Sequence, residues 1–527
     1  MEFGELVEAI RAVEKLKGRN DKVRMLAAIF SALDPGEAAL VARLITGRVF
    51  PEYSEVSVGV GWASVRDALG MVDAVSTLFP HAQRVSVGEL VETLQKISRT
   101  ASRRKKVSYL FSLFSRLSRE EREYLLRILF GEVRIGASTG LVLEAIAEAA
   151  GCELGVVRRA YMYLSDIGDV AEIALREGCE GLRRVRIQLF RPVKPMLAAM
   201  AYSFREILGE HGGKTSLEYK YDGVRVQIHK SGDKVKVFSR RLSDITGYVP
   251  EAVELAARIK AEEAILDGEA VGVEAGRPVA FQEVSRRIRR KRERERFIAR
   301  IPLHVYLFDL LYLDGEDFTL KQYRERRRVL EEIAPRENLA RMRIVDSLVD
   351  AEDFYRSAVG EGHEGVVAKR LSGLYEPGIR GKHWLKLKAS ETVDCVIVAA
   401  EWGHGRRRGW LSDYHLAVYD DENDRFLRVG KTYKGLTDAE FEEMTRRLLE
   451  LKVAEKGYVV YVKPQIVVEV EYAEIQRSPR YESGYALRFA RIKRIRWDKR
   501  PEDATTLREL EERYRRQRFK KTPGVTP

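Results

Sequence analysis

Cysteine is scarce in this chain, and long apolar runs are missing. Cys152, Cys179 and Cys395 are the only cysteines among 527 residues, and their separation matches neither a zinc-binding nor a disulfide spacing. This scarcity predicts a reducing, cytosolic environment. No apolar stretch approaches the ~18 residues of a membrane-spanning helix, and the acidic start of the chain is unlike a targeting signal. We therefore expect a soluble, cytoplasmic protein without membrane contact.

Acidic residues are fewer than basic residues. Lysine and arginine total 93 against 80 acidic residues, which gives a formal net charge of +13. Such a surplus favours a polyanionic partner, nucleic acid before an anionic membrane. The alternative is the ion-pair-rich surface of a thermophile, but that would raise basic and acidic residues together and does not explain an excess of one sign.

The patterns that are present divide the chain into three regions. Apolar residues at helical spacing predict an all-helical region over residues 1–190. Pro192 and Pro195 then interrupt the pattern, and strand-like alternation dominates residues 191–389. Short strands over residues 390–527 predict a small β-barrel followed by a basic tail. The fold class is therefore multidomain α+β.

Three basic segments are candidates for phosphate contacts. Residues 98–106 combine basic side chains with hydroxyls, and residues 134–139 place an arginine and small residues at a predicted helix start. Residues 286–296 hold eight basic and two acidic side chains. The alternatives are an independent helical bundle for the first region and a solvated helix face for residues 286–296.

One lysine stands out at the start of the second region. Lys220 lies between two tyrosines and is followed by Asp222, Gly223 and Arg225. The alternation that begins at Val224, with a turn at 231–233, predicts a hairpin directly after it. A motif of this length is weak evidence by itself, because it occurs by chance in roughly one chain in ten of this size.

An ordered series of motifs strengthens the case. In chain order the series is Lys220-x-Asp222-Gly223, Ser239-Arg240-Arg241, Asp267-Gly268-Glu269, Phe308-Asp309, Glu364 to Lys369, and Lys386-x-Lys388. It resembles the nucleotidyltransferase motifs of ATP-dependent DNA ligases. Residues 134–136, 192–198 and 496–499 resemble further stretches of the same family. The resemblance covers nearly the whole chain and is strongest to the three-domain replicative ligases of archaea.

This resemblance implies the fold and the function. It implies an N-terminal helical DNA-binding domain, a central antiparallel-sheet adenylation domain and a C-terminal OB-fold barrel. It also implies nick sealing in replication, repair and recombination through a lysyl-AMP and a 5′-adenylated DNA intermediate, with release of AMP. The alternatives are an RNA ligase, a capping-type guanylyltransferase or a non-catalytic nucleic-acid scaffold.

The resemblance assigns Lys220 as the nucleophile that attacks the α-phosphorus of ATP. Only the neutral amine can attack, whereas a free lysine has a pKa of ~10.4. We therefore expect surroundings that lower the pKa of Lys220, through burial, Arg225, Arg240 and a metal ion.

The remaining site residues are also implied by the resemblance. Glu218 is expected at the adenine, Phe308 on the base, and Glu269 near the ribose, with Arg225 and Arg240 at ribose or phosphate. Glu364 and Glu269 are expected to hold Mg²⁺, or Mn²⁺ in its place. The expected later contacts to the nucleotide are Arg380, Lys386 and Lys388, and those that close over it are Arg496, Asp498 and Lys499.

The expected partner is nicked double-stranded DNA, bound by a monomer associated with the nucleoid. A sliding clamp is a further candidate partner, with residues 95–98 and 109–114 as its candidate peptides, although residues 109–114 also fit a core helix. The choice between ATP, ADP and other nucleotides stays open at this point.

Overall fold

The structure is a computed structural model of the chain. It describes residues 1–75, 84–130, 139–201, 203–274, 277–279, 284, 287, 295, 298, 300–376, 382–388, 391–497 and 499–520. Within these residues a helical region, a central region of two sheets and a strand-rich region follow one another, as the sequence predicted. The boundaries between the domains stay predictions.

The described part of the first region is helical. Its helices are α1 (Phe3–Lys15), α2 (Arg19–Ser31), α3 (Pro35–Ile45), α4 (Trp62–Val75), α5 (Val87–Ser98), α6 (Arg103–Arg116), α7 (Arg119–Phe130), α8 (Thr139–Ala149), α9 (Leu154–Leu164) and α10 (Ile167–Arg184). They bury their apolar faces in one common core, as amphipathic helices must. The start of α3 shows the local cause of such an element: Asp34 accepts a hydrogen bond from the Glu37 amide, and Pro35 occupies the first helical position.

The cysteines contradict the sequence-based prediction. Cys152 and Cys179 form a disulfide between the segment before α9 and the interior of α10, with a Cα–Cα distance of 5.1 Å. Gly178, directly before Cys179, has a φ of 65°, which kinks α10 at this point. The prediction of unpaired, far-apart cysteines was wrong because 27 residues of sequence separation say nothing about distance across a turn between helices. Cys395 is free and buried.

The central region contains two antiparallel-rich sheets. The first has the strand order β1 (Ala199–Met200), β11 (Trp384–Lys388), β10 (Gly365–Lys369), β2 (Thr215–Tyr219) and β9 (Met342–Val345). The second has the order β4 (Lys234–Ser239), β3 (Val224–Ser231), β5 (Glu263–Glu274), β7 (Leu303–Leu313) and β8 (Glu316–Asp317), with β6 (Arg277–Pro278) on β5. The continuously described helices of this region are α11 (Phe204–His211), α12 (Pro250–Ala257), α13 (Tyr323–Ile333) and α14 (Leu348–Gly360).

The predicted hairpin after Lys220 is confirmed. Strands β3 and β4 pair antiparallel around a turn at Gly232, whose φ is 55°. The polar face of β3 is nevertheless buried, because the segment between the first two regions covers it. Gln227 accepts a hydrogen bond from the Val193 amide at 2.7 Å, and its own amide donates to the Val193 carbonyl at 3.0 Å.

The third region is built around one long strand. Its strands are β12 (Glu391–Trp402), β13 (Leu411–Asp420), β14 (Arg425–Thr432), β15 (Lys452–Lys456), β16 (Val459–Val462), β17 (Val467–Tyr472), β18 (Glu474–Arg477), β19 (Tyr485–Arg488) and β20 (Arg491–Ile495). Its helices are α15 (Asp438–Glu450) and α16 (Leu507–Lys520). Strand β12 pairs with β13 on one side and with both β17 and β16 on the other, so the sheet curves around a core of its own.

Several predicted segments lie partly or wholly outside the described residues. Residues 134–138 lie outside the described residues, and most of residues 286–296 do as well. Arg287, which belongs to that basic segment, is fully buried and pairs with Glu251 at 2.6 Å. The prediction that this segment contacts phosphate is therefore wrong for Arg287. None of the helices that the structure describes combines the length and the apolar composition needed to cross a bilayer.

Candidate active site

Lys220 lies where the two central sheets meet. It follows the last residue of β2, and β3 of the other sheet begins four residues later. The Lys220 amide donates to the Gly365 carbonyl at 2.9 Å, and the Glu364 amide donates to the Lys220 carbonyl at 3.1 Å. Gly365 is required here, because its φ is 130° and a Cβ would lie 2.2 Å from the Leu387 carbonyl oxygen. The backbone therefore fixes Lys220 beside Glu364.

Three charged side chains from separate motifs meet at this point. Lys220 Nζ lies 2.5 Å from Glu364 Oε2, and Lys388 Nζ lies 2.9 Å from the same oxygen. Burial by itself would raise the pKa of Glu364, but the two ammonium groups lower it to about 2. Glu364 is thus a carboxylate shared by two lysines.

The pKa of Lys220 differs from the sequence-based expectation. Burial by itself would lower this pKa, but the carboxylate of Glu364 raises it more, and Glu269 and Asp222 act in the same direction. The pKa therefore lies above that of an ordinary lysine. The expectation of a lowered pKa was wrong for this structure because three acids face the amine, while Arg225 is directed toward Asp267 at 2.5 Å.

Glu269 faces the same space from β5, opposite Arg225 of β3. Burial raises the pKa of Glu269 to about 7, although Lys220 and Arg225 act against this. An acid whose pKa stays raised beside two cations would be stabilised by a further cation, and Mg²⁺ prefers carboxylate oxygens. In the part of the chain that the structure describes, no three histidine, cysteine, aspartate or glutamate side chains are placed to hold a metal ion together.

Glu218 lies at the bottom of the site and is almost fully buried. Its carboxylate accepts a hydrogen bond from the Tyr323 hydroxyl and lies 2.8 Å from Lys369 Nζ. Lys369 also donates to the Phe308 carbonyl at 2.7 Å. Sequence reasoning gave Lys369 and Tyr323 no role, although Lys369 ends the motif that begins at Glu364.

Phe308 forms one wall of the site. Its ring is half-buried in β7, with Lys369 Nζ 4.7 Å and the Arg225 guanidinium 5.4 Å from its centroid. Trp384 packs against it edge-on at 6.0 Å. Two cations over a partly open aromatic ring leave a surface suited to a flat, anionic ligand.

The other predicted residues are divided between the site and its surroundings. Lys386 lies on β11, between Val367 of β10 and Met200 of β1. Arg240 is exposed just after β4 and lines a small cleft together with Arg225 and Asp267. Arg380 and Asp498 lie outside the described residues.

Arg496 and Lys499 are not at Lys220 in this structure. Arg496 Nη1 lies 3.4 Å from Asp394 Oδ1, and Lys499 Nζ lies 2.7 Å from Asp394 Oδ2. Asp394 belongs to β12 of their own region. The C-terminal cations therefore contact an acid of the third region rather than the site in the second.

Comparisons with known proteins cover all three regions. Successive parts of the chain match the family models for the DNA ligase N terminus (residues 74–147), the ATP dependent DNA ligase domain (195–388) and the ATP dependent DNA ligase C terminal region (407–499).

Two relatives match over nearly their whole length. The DNA ligase of Thermococcus fumicolans is 40% identical and is aligned over 99% of this chain and 100% of its own. DNA ligase 1 of Korarchaeum cryptofilum is 42% identical over 97% and 98%. The solved structure Pmar-Lig_Pre covers 93% of this chain and 99% of its own with a TM-score of 0.59, and at 19% identity it shows a similar fold.

Proposed function

Because this chain belongs to the ATP-dependent DNA ligase family, we propose that Lys220 is the residue that carries the adenylate during nick sealing. The enzyme is a DNA ligase. The observation that carries the assignment is the meeting of Lys220, Glu364 and Lys388 at the junction of the two sheets. Among the described residues of the matched domain, this is where two lysine amines meet at one carboxylate.

The first step is attack of the Lys220 amine on the α-phosphorus, with pyrophosphate as the leaving group. The ammonium must first lose a proton, and the raised pKa shows that the three acids oppose this. Glu364 and Glu269 are the residues that would hold Mg²⁺, which would neutralise the acids and orient phosphate oxygens. Lys388, which contacts Glu364 together with Lys220, would contact the phosphate as negative charge develops there.

We assign the contacts with the base and the sugar of ATP to the side chains around Lys220. Phe308 stacks on adenine, and Glu218 lies at the adenine side, where Lys369 and Tyr323 hold its carboxylate in place. Arg225, Arg240, Glu269 and Lys386 face the ribose and the phosphates. The proposed site also includes Arg380, Asp222 beside Lys220, and three residues of the third region: Arg496, Asp498 and Lys499.

In the later steps the adenylate passes to the 5′-phosphate at a nick, and the 3′-hydroxyl then attacks that phosphate and releases AMP. These are phosphoryl displacements, in which positioning and charge stabilisation dominate. We propose a monomer that acts on nicked duplex DNA in the cytoplasm, in keeping with the net charge of +13.

The two candidate clamp-binding peptides are largely part of the helical core. Ile97 is fully buried at the end of α5, and Leu110 and Phe114 are fully buried in α6. These side chains belong to the helical core, whereas Tyr109 of the second segment is 38% exposed.

Covalent labelling tests the proposal. Incubation with α-labelled ATP and Mg²⁺ should leave label on the denatured protein, and Lys220→Ala should abolish it. The exposed Lys214, just before β2, provides the matched control, and Lys214→Ala should label normally. Lys220→Ala should still join a nick that already carries a 5′-adenylate, because that reaction needs no lysyl-AMP. Unchanged labelling of Lys220→Ala would overturn the assignment.

A further inference from the structure

The hydroxyl of Tyr375 lies at the centre of a hydrogen-bonded group next to the active site. Tyr375 follows β10 and is 2% exposed. Its hydroxyl donates to Asp267 Oδ2 at 2.8 Å and accepts hydrogen bonds from Arg225 Nη2 at 3.1 Å and from the Met196 amide at 3.0 Å. The donor and both acceptor positions of the hydroxyl are therefore in use.

The same group holds the guanidinium of Arg225 on several sides. Asp267 accepts from Arg225 Nε at 2.9 Å and from Nη2 at 2.5 Å, and the Met196 carbonyl accepts from Nη1 at 2.6 Å. Arg225 thus has a single orientation, with its guanidinium over the Phe308 ring. A buried, charge-assisted arrangement of this kind is strong only while every member has its partners.

Four separate parts of the chain contribute to this group. Met196 belongs to the segment that leaves the helical region, Arg225 to β3, Asp267 to β5, and Tyr375 to the segment between β10 and β11. The Tyr375 ring packs edge-on against Trp384 at 5.8 Å. The hydroxyl is the atom through which the connecting segment and the Arg225–Asp267 pair are joined.

We propose that Tyr375 is a positioning residue for the nucleotide: its hydroxyl fixes the Arg225 guanidinium between Asp267 and Met196, in the orientation that meets ATP. The inference rests on the proposed function of Arg225 and extends it to a residue that contacts no nucleotide itself. Tyr375→Phe keeps the ring and its packing but leaves the Met196 amide without an acceptor, removes one of the two donors to Asp267 Oδ2 and removes an acceptor from Arg225 Nη2. Arg225 would then sample other orientations, and ordering it again would weaken ATP binding.

The test measures the rate of enzyme-adenylate formation against ATP concentration. We expect Tyr375→Phe to raise the half-saturating ATP concentration about 10-fold and to change the maximal rate less than about 2-fold. Tyr163→Phe is the matched control. Tyr163 is equally buried in the same apolar cluster, but its hydroxyl bonds to Asp317 and Thr319, away from Arg225. It should leave the half-saturating concentration unchanged.

A double-mutant cycle separates positioning from a general loss of structure. In an Arg225→Gln background, Tyr375→Phe should shift the half-saturating concentration by less than about 2-fold, because its target is already gone. A full shift in that background, or equal shifts for Tyr375→Phe and Tyr163→Phe, would overturn the inference. Failure of the wild-type enzyme to form a Lys220 adenylate would instead overturn the proposed function.

Discussion

The central domain is joined to its two neighbours in different ways. On the helical side, Met162 and Tyr163 of α9 share a buried apolar cluster with Val193, Leu311 and Trp384. Polar contacts cross the same junction: the Tyr163 hydroxyl donates to Asp317 at 2.5 Å. This junction has the apolar core and satisfied polar groups of a domain interior.

The junction with the third region is sparse by comparison. Lys388 Nζ lies 6.0 Å from the centroid of the Phe489 ring, and Phe489 is 63% exposed. Among the residues that the structure describes, no buried apolar cluster contains members from both sides of this junction. The third region instead keeps its own core, and its cations Arg496 and Lys499 stay on Asp394.

The difference predicts which of the two junctions is easier to separate. The helical and central regions should behave as one body, because separating them would expose apolar side chains and break buried hydrogen bonds. The described contacts of the third region with the central region are few, so we expect a smaller cost for changing its position. In the proposed function, such a change would be needed for Arg496 and Lys499 to leave Asp394 and contact the nucleotide.

The largest effect is expected from a charge placed in the helical junction. Val193 is fully buried there, so Val193→Asp would bury an unpaired carboxylate and weaken the junction by about 3–5 kcal/mol. We expect rapid proteolysis between residues 185 and 196 and loss of nick sealing. Val453→Asp is the control, because Val453 is 64% exposed on β15. If Val193→Asp resists protease like Val453→Asp and the wild type, burial of Val193 does not hold the junction closed as described.

The second prediction concerns acid pH and the same junction. His229 accepts a hydrogen bond from the Phe190 amide at 3.0 Å, and burial lowers its pKa to about 3. In the unfolded chain His229 has a pKa of ~6.5, so between about pH 6.5 and pH 3 only the unfolded chain protonates this histidine. The free energy of unfolding is therefore greatest above about pH 6.5 and decreases as the pH falls toward 3. By pH 5 the loss should be about 2 kcal/mol.

Thermal unfolding between pH 7 and pH 5 measures this loss. His229→Gln removes the titrating group, so its unfolding temperature should depend less steeply on pH than that of the wild type. Lys234 Nζ lies 4.2 Å from the centroid of the ring of Phe190, whose backbone amide donates to His229. Equal slopes for the two proteins would show that His229 does not couple pH to the junction.

The sequence predicted local structure better than contacts between distant segments. The β3–β4 hairpin followed from alternation and a glycine turn, which are local properties. The burial of Gln227 and His229 on its polar face did not, because a segment more than 30 residues earlier covers them. The disulfide was missed for the same reason, since only the helix packing brings its two cysteines together.

The same distinction between local patterns and distant contacts applies to the candidate site. The order of the motifs was enough to select Lys220, Glu364 and Lys388, which the structure brings together. It gave no sign of Tyr375, which belongs to no motif and gains its contacts from Met196 and Asp267. The direction of the Lys220 pKa was also beyond the sequence, because it depends on which acids face the amine.

The smallest effect is expected at the sparse junction. An exposed cation–π contact contributes about 0.5–1 kcal/mol, so Phe489→Ala should change the free energy of unfolding by less than about 1 kcal/mol. Phe441→Ala is the contrasting variant within the same region. Phe441 is fully buried between Trp410 and Tyr414, and its loss should cost about 3–5 kcal/mol. Denaturant unfolding of both variants measures the difference. If Phe489→Ala proved as costly as Phe441→Ala, the third region would be held to the central domain as firmly as the helical region is.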